Sequence, residues 1–124
     1  MLDLSKPDGT GALTIKTVSI ERDGTTYHFE GPVEGYGSAF CSAKLTHYDA
    51  DETRGTVAGE ARVLGDDGSL VAAPVYGTFR RLGTTIQVYI VDSCSNGDQN
   101  FVNWEMNLVS REVAVSYWSL VGSA

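Results

Sequence analysis

The sequence predicts an all-β fold, namely a single antiparallel eight-stranded up-and-down (meander) β-barrel. Apolar and polar residues alternate in about eight short runs from Leu13 onwards, with the period of two that marks a half-buried strand. Turns rich in Gly and Asp separate the runs, and no gap is long enough for a helix. Parallel strands need crossovers of about a dozen residues, so strands adjacent in sequence should pair antiparallel. A two-sheet β-sandwich is the alternative architecture.

The runs are assigned as strands because β-branched and aromatic residues recur in them at alternate positions. In chain order, we predict strands over Leu13–Glu21, Thr25–Glu30, Ala39–Tyr48, Gly55–Leu64, Ser69–Arg80, Thr84–Asp92, Asn100–Val109 and Val113–Val121. Together they form a single barrel domain, residues 13–124. Residues 1–12 are predicted to be a flexible N-terminal arm, because Pro7, Gly9 and Gly11 interrupt any regular pattern.

The turns between the strands are predicted from Gly, Asp and Pro. Asp23-Gly24 and Asp67-Gly68 are strong hairpin signals, because Gly adopts a positive φ without a Cβ clash. Gly31-Pro32 is expected to end the second strand, since Pro has no N–H to donate to a ladder. Pro74 predicts a bulge or an edge in the fifth strand. The other connections are predicted at Asp49–Arg54, Leu82-Gly83, Ser93–Gln99 and Arg111.

The charge of the chain limits its partners. The 124 residues carry a formal net charge of −7, and the nine Lys and Arg residues are scattered along the sequence. A nucleic-acid-binding protein needs a basic face that displaces counterions, and an anionic membrane attracts clustered basic residues. We therefore expect no nucleic-acid partner and no membrane partner. The sequence shows no apolar run of about 18 residues and no secretory signal, which predicts a cytoplasmic protein.

The interior of the barrel has a default interpretation. One face of strands six and seven is apolar and carries Ile86, Val88, Ile90, Val102, Trp104, Met106 and Leu108. Full burial of such side chains contributes about 1.5–3 kcal/mol each, so this face is expected to be the core. Strands three to five carry small residues such as Ala43, Ala61 and Ala73 at the corresponding positions. An eight-stranded barrel either fills its interior or holds one small ligand, and the sequence leaves both open.

The reverse orientation is a second interpretation. If an oligomer interface covered the aliphatic stripe, the mixed face would point inward and place a carboxylate, a guanidinium and several phenols in a cavity. The residues of that face are Glu60, Arg62, Tyr76, Tyr89, Asn103, Glu105 and Tyr117. A homo-oligomer is compatible with this interpretation, because the last strand is apolar on both faces.

Signals for metal and cofactor chemistry are weak. His28 and His47 have no partner at the spacing of a metal site. The segment Asp92–Asp98 departs from a calcium loop, because Cys94 takes a ligand position and Asn103 stands where a bidentate Glu is needed. The sequence has no phosphate loop, dinucleotide fingerprint or nucleophile elbow. We predict no metal and no cofactor.

The two cysteines, Cys41 and Cys94, are too far apart in sequence for a metal or redox motif. Two free thiols are expected in a cytosolic protein. One disulfide across the barrel is also compatible with the sequence.

Three functions are compatible with this barrel. The leading hypothesis is a cofactor-free isomerase, cyclase or lyase that acts on a small apolar metabolite in the cavity. Glu105 would be the catalytic acid and base, and Arg62 would anchor a carbonyl or carboxylate. The substrate-binding residues would be Tyr76, Tyr89, Asn103, Trp104 and Tyr117, since amphipathic rings suit an apolar ligand with one polar end. The alternatives are a non-catalytic carrier of the same kind of ligand and an interaction module with a filled core.

Overall fold

Eight antiparallel strands close into one barrel in the computed structural model, which describes residues 3–122. Each strand pairs with the next along the chain, and the last pairs with the first. The strands are β1 (Gly9–Ile20), β2 (Gly24–Val33), β3 (Gly37–His47), β4 (Arg54–Leu64), β5 (Leu70–Leu82), β6 (Thr85–Ser93), β7 (Gln99–Asn107) and β8 (Glu112–Val121). The predicted up-and-down barrel is confirmed, and one closed sheet replaces the two sheets of a sandwich. Within the described residues, no helix is long and apolar enough to cross a bilayer.

Two glycines at predicted hairpins serve different purposes. Gly68 in the β4–β5 turn has a φ of +86°, a left-handed conformation that Gly adopts at little cost. Gly24 opens β2, where an added Cβ would collide with the carbonyl oxygen of Leu45 on β3. Gly24 therefore permits a close approach of two strands and does not supply a positive φ.

The first strand already includes residues 9–12, which the sequence predicts as part of a flexible arm. Gly9–Thr14 pairs with Glu112–Tyr117 of β8, and this ladder closes the barrel. The carboxylate of Asp8 adds a 2.7 Å hydrogen bond from the N–H of Ser119. The arm prediction was wrong for this part of the chain, because the partner strand lies at the other end of the sequence.

The two strand prolines lie where their missing N–H groups are tolerated. β2 continues through Gly31-Pro32 beyond its predicted end at Glu30, and Pro32 lies opposite Ser38 of β3. The β1–β2 ladder has no pair at Pro32, so the absent donor falls in a gap of that ladder. Pro74 lies in the part of β5 that pairs with β4 but not yet with β6.

The apolar face of the strands points into the barrel. Val88 and Met106 are 0 % exposed, whereas Arg62 and Glu105 are exposed. The reverse orientation is therefore wrong, since the mixed face points to solvent. The physical reason is that burying the aliphatic face removes more apolar area from water. The buried core comprises Leu13, Ile15, Tyr27, Phe29, Ala39, Ala43, Leu45, Val57, Val75, Phe79, Ile86, Val88, Ile90, Val102, Trp104, Met106, Val113 and Val115.

One end of the barrel is filled by large side chains. We call it the packed end, and its inward-facing residues include Tyr27, Leu45, Val57, Phe79, Ile86 and Met106. It carries the turns that follow β1, β3, β5 and β7. Next to it, the rings of Phe29 and Trp104 meet edge to face with centroids 4.9 Å apart. Aromatic pairs in this geometry contribute about 0.5–1.5 kcal/mol beyond the area they bury.

An apolar row crosses the outer face of four neighbouring strands. Tyr76, Val91, Phe101 and Trp118 lie opposite one another in register on β5, β6, β7 and β8. Tyr76 is 62 % exposed and Val91 is 52 % exposed. The ring centroids of Phe101 and Trp118 are 5.7 Å apart. We call these four residues the outer stripe.

Candidate functional site

A cavity of about 70 Å³ lies inside the barrel, at the end opposite the packed end. Its apolar lining consists of Leu13, Val33, Ala39, Ala61, Val63, Val71, Ala73, Val75, Ile90, Val102, Trp104 and Val115. Its polar lining consists of Tyr36, Cys41, Asp92, Cys94, Asn100 and Tyr117. A space of this size holds a few water molecules or an apolar group of a few atoms.

The cavity exists because the inward side chains of β3, β4 and β5 are small at this end. Ala39, Ala61 and Ala73 line it, and Ala61 lies opposite Ala73 in register. Towards the packed end, the inward positions of β3 and β5 carry the larger Leu45 and Phe79. The sequence is compatible with either a cavity or a filled core. The barrel contains both, with the cavity at one end and the filled core at the other.

Five polar side chains form a hydrogen-bonded group beside the cavity, which we call the mouth cluster: Tyr36, Asp92, Cys94, Asp98 and Asn100. The Tyr36 hydroxyl donates to Asp98 Oδ2 at 2.6 Å. Asn100 Nδ2 donates to the Tyr36 oxygen at 3.1 Å and to Asp92 Oδ1 at 3.2 Å. The Cys94 Sγ lies 3.7 Å from Asp92 Oδ1. Asn100 is 3 % exposed, so a buried amide connects the other members.

Side chains alternate between the two faces of a strand, and this alternation directs three side chains of the cluster into the barrel. Asp92 and Cys94 follow Ile90 at alternate positions of the inward face that runs along β6. Asn100 precedes Val102 on the inward face of β7 in the same way. Asp92, Cys94 and Asn100 therefore come from the end of β6 and the start of β7, whereas Tyr36 and Asp98 lie in the β2–β3 and β6–β7 turns.

The β6–β7 turn is fixed against β5. The N–H of Cys94 donates to the carbonyl of Asp98 at 2.7 Å, which closes the turn. The N–H of Ser95 donates to the carbonyl of Ala72 at 2.8 Å, and the Ser95 hydroxyl accepts from the N–H of Ala72 at 2.9 Å. These bonds hold the turn over the cavity and fix the position of Asp98.

Tyr117 lies beside the mouth cluster and packs against its member Tyr36. The ring centroids of Tyr36 and Tyr117 are 5.3 Å apart in an edge-to-face arrangement. The Tyr117 hydroxyl donates to the carbonyl of Glu34 at 2.8 Å, which ties β8 to the β2–β3 turn. Both rings are thereby oriented by hydrogen bonds made at their polar ends.

Burial shifts the protonation equilibria of these groups. It raises the pKa of Asp92 above the ordinary value of 3.8, although the hydrogen bonds of that carboxylate work in the opposite direction. Burial and then the charge of Asp92 raise the pKa of Cys41 and of Cys94 to about 12. Burial and then the hydrogen bond to Asp98 raise the pKa of Tyr36. Both thiols are free, and a thiol that stays protonated at neutral pH is a poor nucleophile.

The segment Asp92–Asp98 folds as the end of a strand and a tight turn. Its carboxylates accept hydrogen bonds from Asn100 and Tyr36. Among residues 3–122, no three His, Cys, Asp or Glu side chains are placed to hold a metal ion.

The site residues predicted from the sequence fall into two groups. Trp104 and Tyr117 line the cavity. The other side chains point away from the barrel interior, and they are Arg62, Tyr76, Tyr89, Asn103 and Glu105. The predicted catalytic pair is placed on β4 and β7, which are not neighbours in the barrel. The prediction that these five residues line a cavity is corrected, because it depended on the reverse orientation of the strands.

The sequence interpretation assigned none of the five residues of the mouth cluster to the site. Asp92 and Asn100 were assigned to strand ends, and Tyr36 to an irregular stretch, without a functional role. A signal for two of them was present, because Asp92 and Asn100 continue the alternating inward positions of apolar strands. A polar residue in that phase must be buried or must face a cavity. Tyr36 lies in a turn, where strand phase gives no information.

The comparisons with known proteins give no family for this chain. No protein-family model matches it, no curated protein matches it, and no solved structure matches it.

Proposed function

We propose that this protein binds a small apolar molecule with one polar group at the cavity end of the barrel. The observation that supports this most is an alanine-lined cavity beside the buried amide of Asn100 and the carboxyl group of Asp92. Apolar walls with a few placed polar groups are the usual composition of a ligand site. Empty space inside a core lowers stability, so room for a ligand accounts for small residues at one end of an otherwise filled barrel.

The proposed binding mode follows from the division of the cavity lining into an apolar part and a polar part. The apolar part of the ligand would contact the alanine and valine walls, and Trp104 would limit its depth. Burial of apolar groups contributes about 0.8 kcal/mol per CH₂. A probe with about four carbons would therefore gain about 3 kcal/mol from burial, and its dissociation constant is expected in the millimolar range or above.

A catalytic function is the second candidate, and the state of Asp92 favours it. A carboxyl group whose pKa is raised by burial at a cavity is suited to proton transfer. Asp92 would then take the acid–base role in a cofactor-free isomerisation, cyclisation or elimination. If a ligand that co-purifies with the protein is recovered unchanged, the carrier is supported. Conversion by the natural protein, and not by Asp92→Asn, would support the enzyme.

The first test fills the cavity by mutation. Ala73→Leu adds three carbons to the cavity wall, whereas Ala43→Leu adds the same group to a site that is 1 % exposed and away from the cavity. We expect Ala73→Leu to leave the free energy of unfolding within about 1 kcal/mol of the natural protein, and Ala43→Leu to lower it by about 1–3 kcal/mol. Urea denaturation measures both values.

The Ala73→Leu variant also tests binding. We expect 1-butanol to cause a saturable shift of the amide NMR signals around the cavity in the natural protein. In Ala73→Leu this shift should be absent. Absence of any saturable shift in the natural protein would contradict the proposal. A shift that survives Ala73→Leu unchanged would show that the alcohol binds elsewhere.

A further inference from the structure

The ionisable groups at the cavity are all acids. Those that line it are Tyr36, Cys41, Asp92, Cys94 and Tyr117, and no Lys, Arg or His side chain belongs to the described lining. Asp98 adds a second carboxylate through its hydrogen bond to Tyr36. The thiols and phenols keep their protons at neutral pH, so the negative potential here comes from the carboxylates of Asp92 and Asp98, and no cation of the described lining offsets it. The net charge of −7 on the whole chain acts in the same direction.

The mouth cluster also has little capacity left to donate hydrogen bonds. The Asn100 amide donates to Tyr36 and to Asp92, and the Tyr36 hydroxyl donates to Asp98. The Cys94 thiol is directed at Asp92 Oδ1. The donors of the mouth cluster are thus already engaged within the protein.

The remaining capacity of the cluster is to accept. Asn100 is more than nine-tenths buried and lines the cavity, and its Oδ1 receives no hydrogen bond from the described residues. This oxygen is not one of the fully buried unpaired atoms of the described residues, so it stays open to the cavity and can accept a hydrogen bond from a ligand that brings an N–H. Asp92 offers a carboxylate next to this oxygen, held there by Asn100 Nδ2 at 3.2 Å.

We propose that the ligand of this barrel is a primary amine with a short apolar chain or ring, bound as its ammonium ion. The ammonium group donates to Asn100 Oδ1 and to the Asp92 carboxylate, and the carbon chain occupies the alanine-lined cavity. An alkylammonium has three donors and no acceptor, which matches a cluster with acceptors to spare. This inference rests on the proposed binding function and names the chemical class of its ligand.

The test compares three compounds of the same chain length: n-butylammonium, 1-butanol and butyrate. NMR titration of the natural protein gives the dissociation constant of each. We expect the amine to bind at least about tenfold more tightly than the alcohol, which corresponds to about 1.4 kcal/mol. Butyrate should show no saturable shift at the cavity, because its carboxylate would face those of Asp92 and Asp98.

Variants connect the preference to the cluster. Asp92→Asn should reduce the advantage of the amine over the alcohol to less than about threefold and leave 1-butanol binding in place. Asp98→Asn is a second variant that removes one charge from the same cluster, and it should reduce the advantage in the same direction. Asp51→Asn is the matched control, because it removes one exposed carboxylate in the β3–β4 connection at the packed end. It should leave the preference unchanged.

The outcomes separate this inference from the function on which it rests. Equal binding of amine and alcohol would overturn the amine assignment and leave an apolar binding site. Tighter binding of butyrate would overturn it too. Failure of all three compounds to bind would overturn the binding function itself. An amine preference that persists in both folded variants, Asp92→Asn and Asp98→Asn, would overturn the role of the cluster.

Discussion

Burial of Asp92 beside the cavity has a cost in stability that depends on pH. The raised pKa means that the folded protein holds the proton on Asp92 more strongly than the unfolded chain, whose value is near the ordinary 3.8. Between these two pKa values the folded state binds more protons, so the contribution of Asp92 to stability falls as pH rises. Above the folded pKa the cost is complete. The neighbouring thiols of Cys41 and Cys94 stay protonated over this pH range. The negative charge of Asp98 adds to the rise in the pKa of Asp92.

Replacing Asp92 by Asn should remove this pH-dependent cost. The amide keeps an oxygen that accepts from Asn100 but carries no charge. We expect the free energy of unfolding of Asp92→Asn, relative to the natural protein, to increase as pH rises from below 3.8 and to level off above the raised pKa of Asp92 in the folded protein. Urea denaturation at several pH values measures the difference. A difference that is the same at acidic and neutral pH would contradict the burial of a charge at this position.

At the scale of residues, the sequence located part of the site. Trp104 and Tyr117 were assigned to ligand contact and do line the cavity. Glu105 and Arg62 were chosen for their chemistry, and the phase of their strands places them outside. The apolar face of the β6–β7 hairpin predicted the inward face correctly, and Glu105 and Arg62 entered the prediction only through the reverse orientation, in which a strand's other face points inward.

At the scale of elements, the seam between β1 and β8 decides whether the sheet is closed. β1 pairs with β8 only over Gly9–Thr14, and its remaining residues pair with β2 alone. At this seam, the buried inward residues Val113 and Val115 of β8 lie opposite Leu13 and Gly11 of β1. Local patterns predicted each hairpin, because its two strands are adjacent in sequence. They could not predict the seam, whose partners stand at opposite ends of the chain.

Truncation from the N-terminus tests the seam. Removal of residues 1–7 keeps every β1–β8 pair and the hydrogen bond from Ser119 to Asp8. We expect it to change the free energy of unfolding by less than about 1 kcal/mol. Removal of residues 1–12 deletes four residues of the ladder, among them Gly11, which lies opposite the buried Val115, and uncovering this valine should cost about 1.5–3 kcal/mol. Urea denaturation of the two truncated proteins provides the comparison, and equal stability would mean that residues 9–12 behave as the predicted arm.

At the scale of the whole molecule, the outer stripe is the surface on which self-association is expected. The homo-oligomer inferred from the sequence stays a prediction. We now expect its interface at the outer stripe and not at the aliphatic face, which is buried in the barrel. Contiguous exposed apolar residues on a soluble protein mark interaction surfaces. The net charge of −7 opposes association of two copies, so association should strengthen when salt screens this repulsion.

A charge in the middle of the outer stripe should separate the copies. We expect sedimentation velocity at micromolar concentration to show a species larger than the monomer for the natural protein and a monomer for Val91→Lys. Val109→Lys is the matched control, because Val109 is 76 % exposed in the β7–β8 turn and lies outside the stripe. A natural protein that sediments as a monomer at low and at high salt would contradict the prediction.

The wall of the barrel also divides the two tryptophans of the chain. Trp104 is 3 % exposed and borders the cavity, whereas Trp118 lies in the outer stripe, where its buried Nε1–H has no hydrogen-bond partner among the described residues. Their indole rings therefore sense different surroundings, one enclosed by the barrel and one on its outside. The ultraviolet emission of this protein is the sum of an inner and an outer signal. A molecule that enters the barrel changes the first signal, and a second copy that covers the outside changes the other.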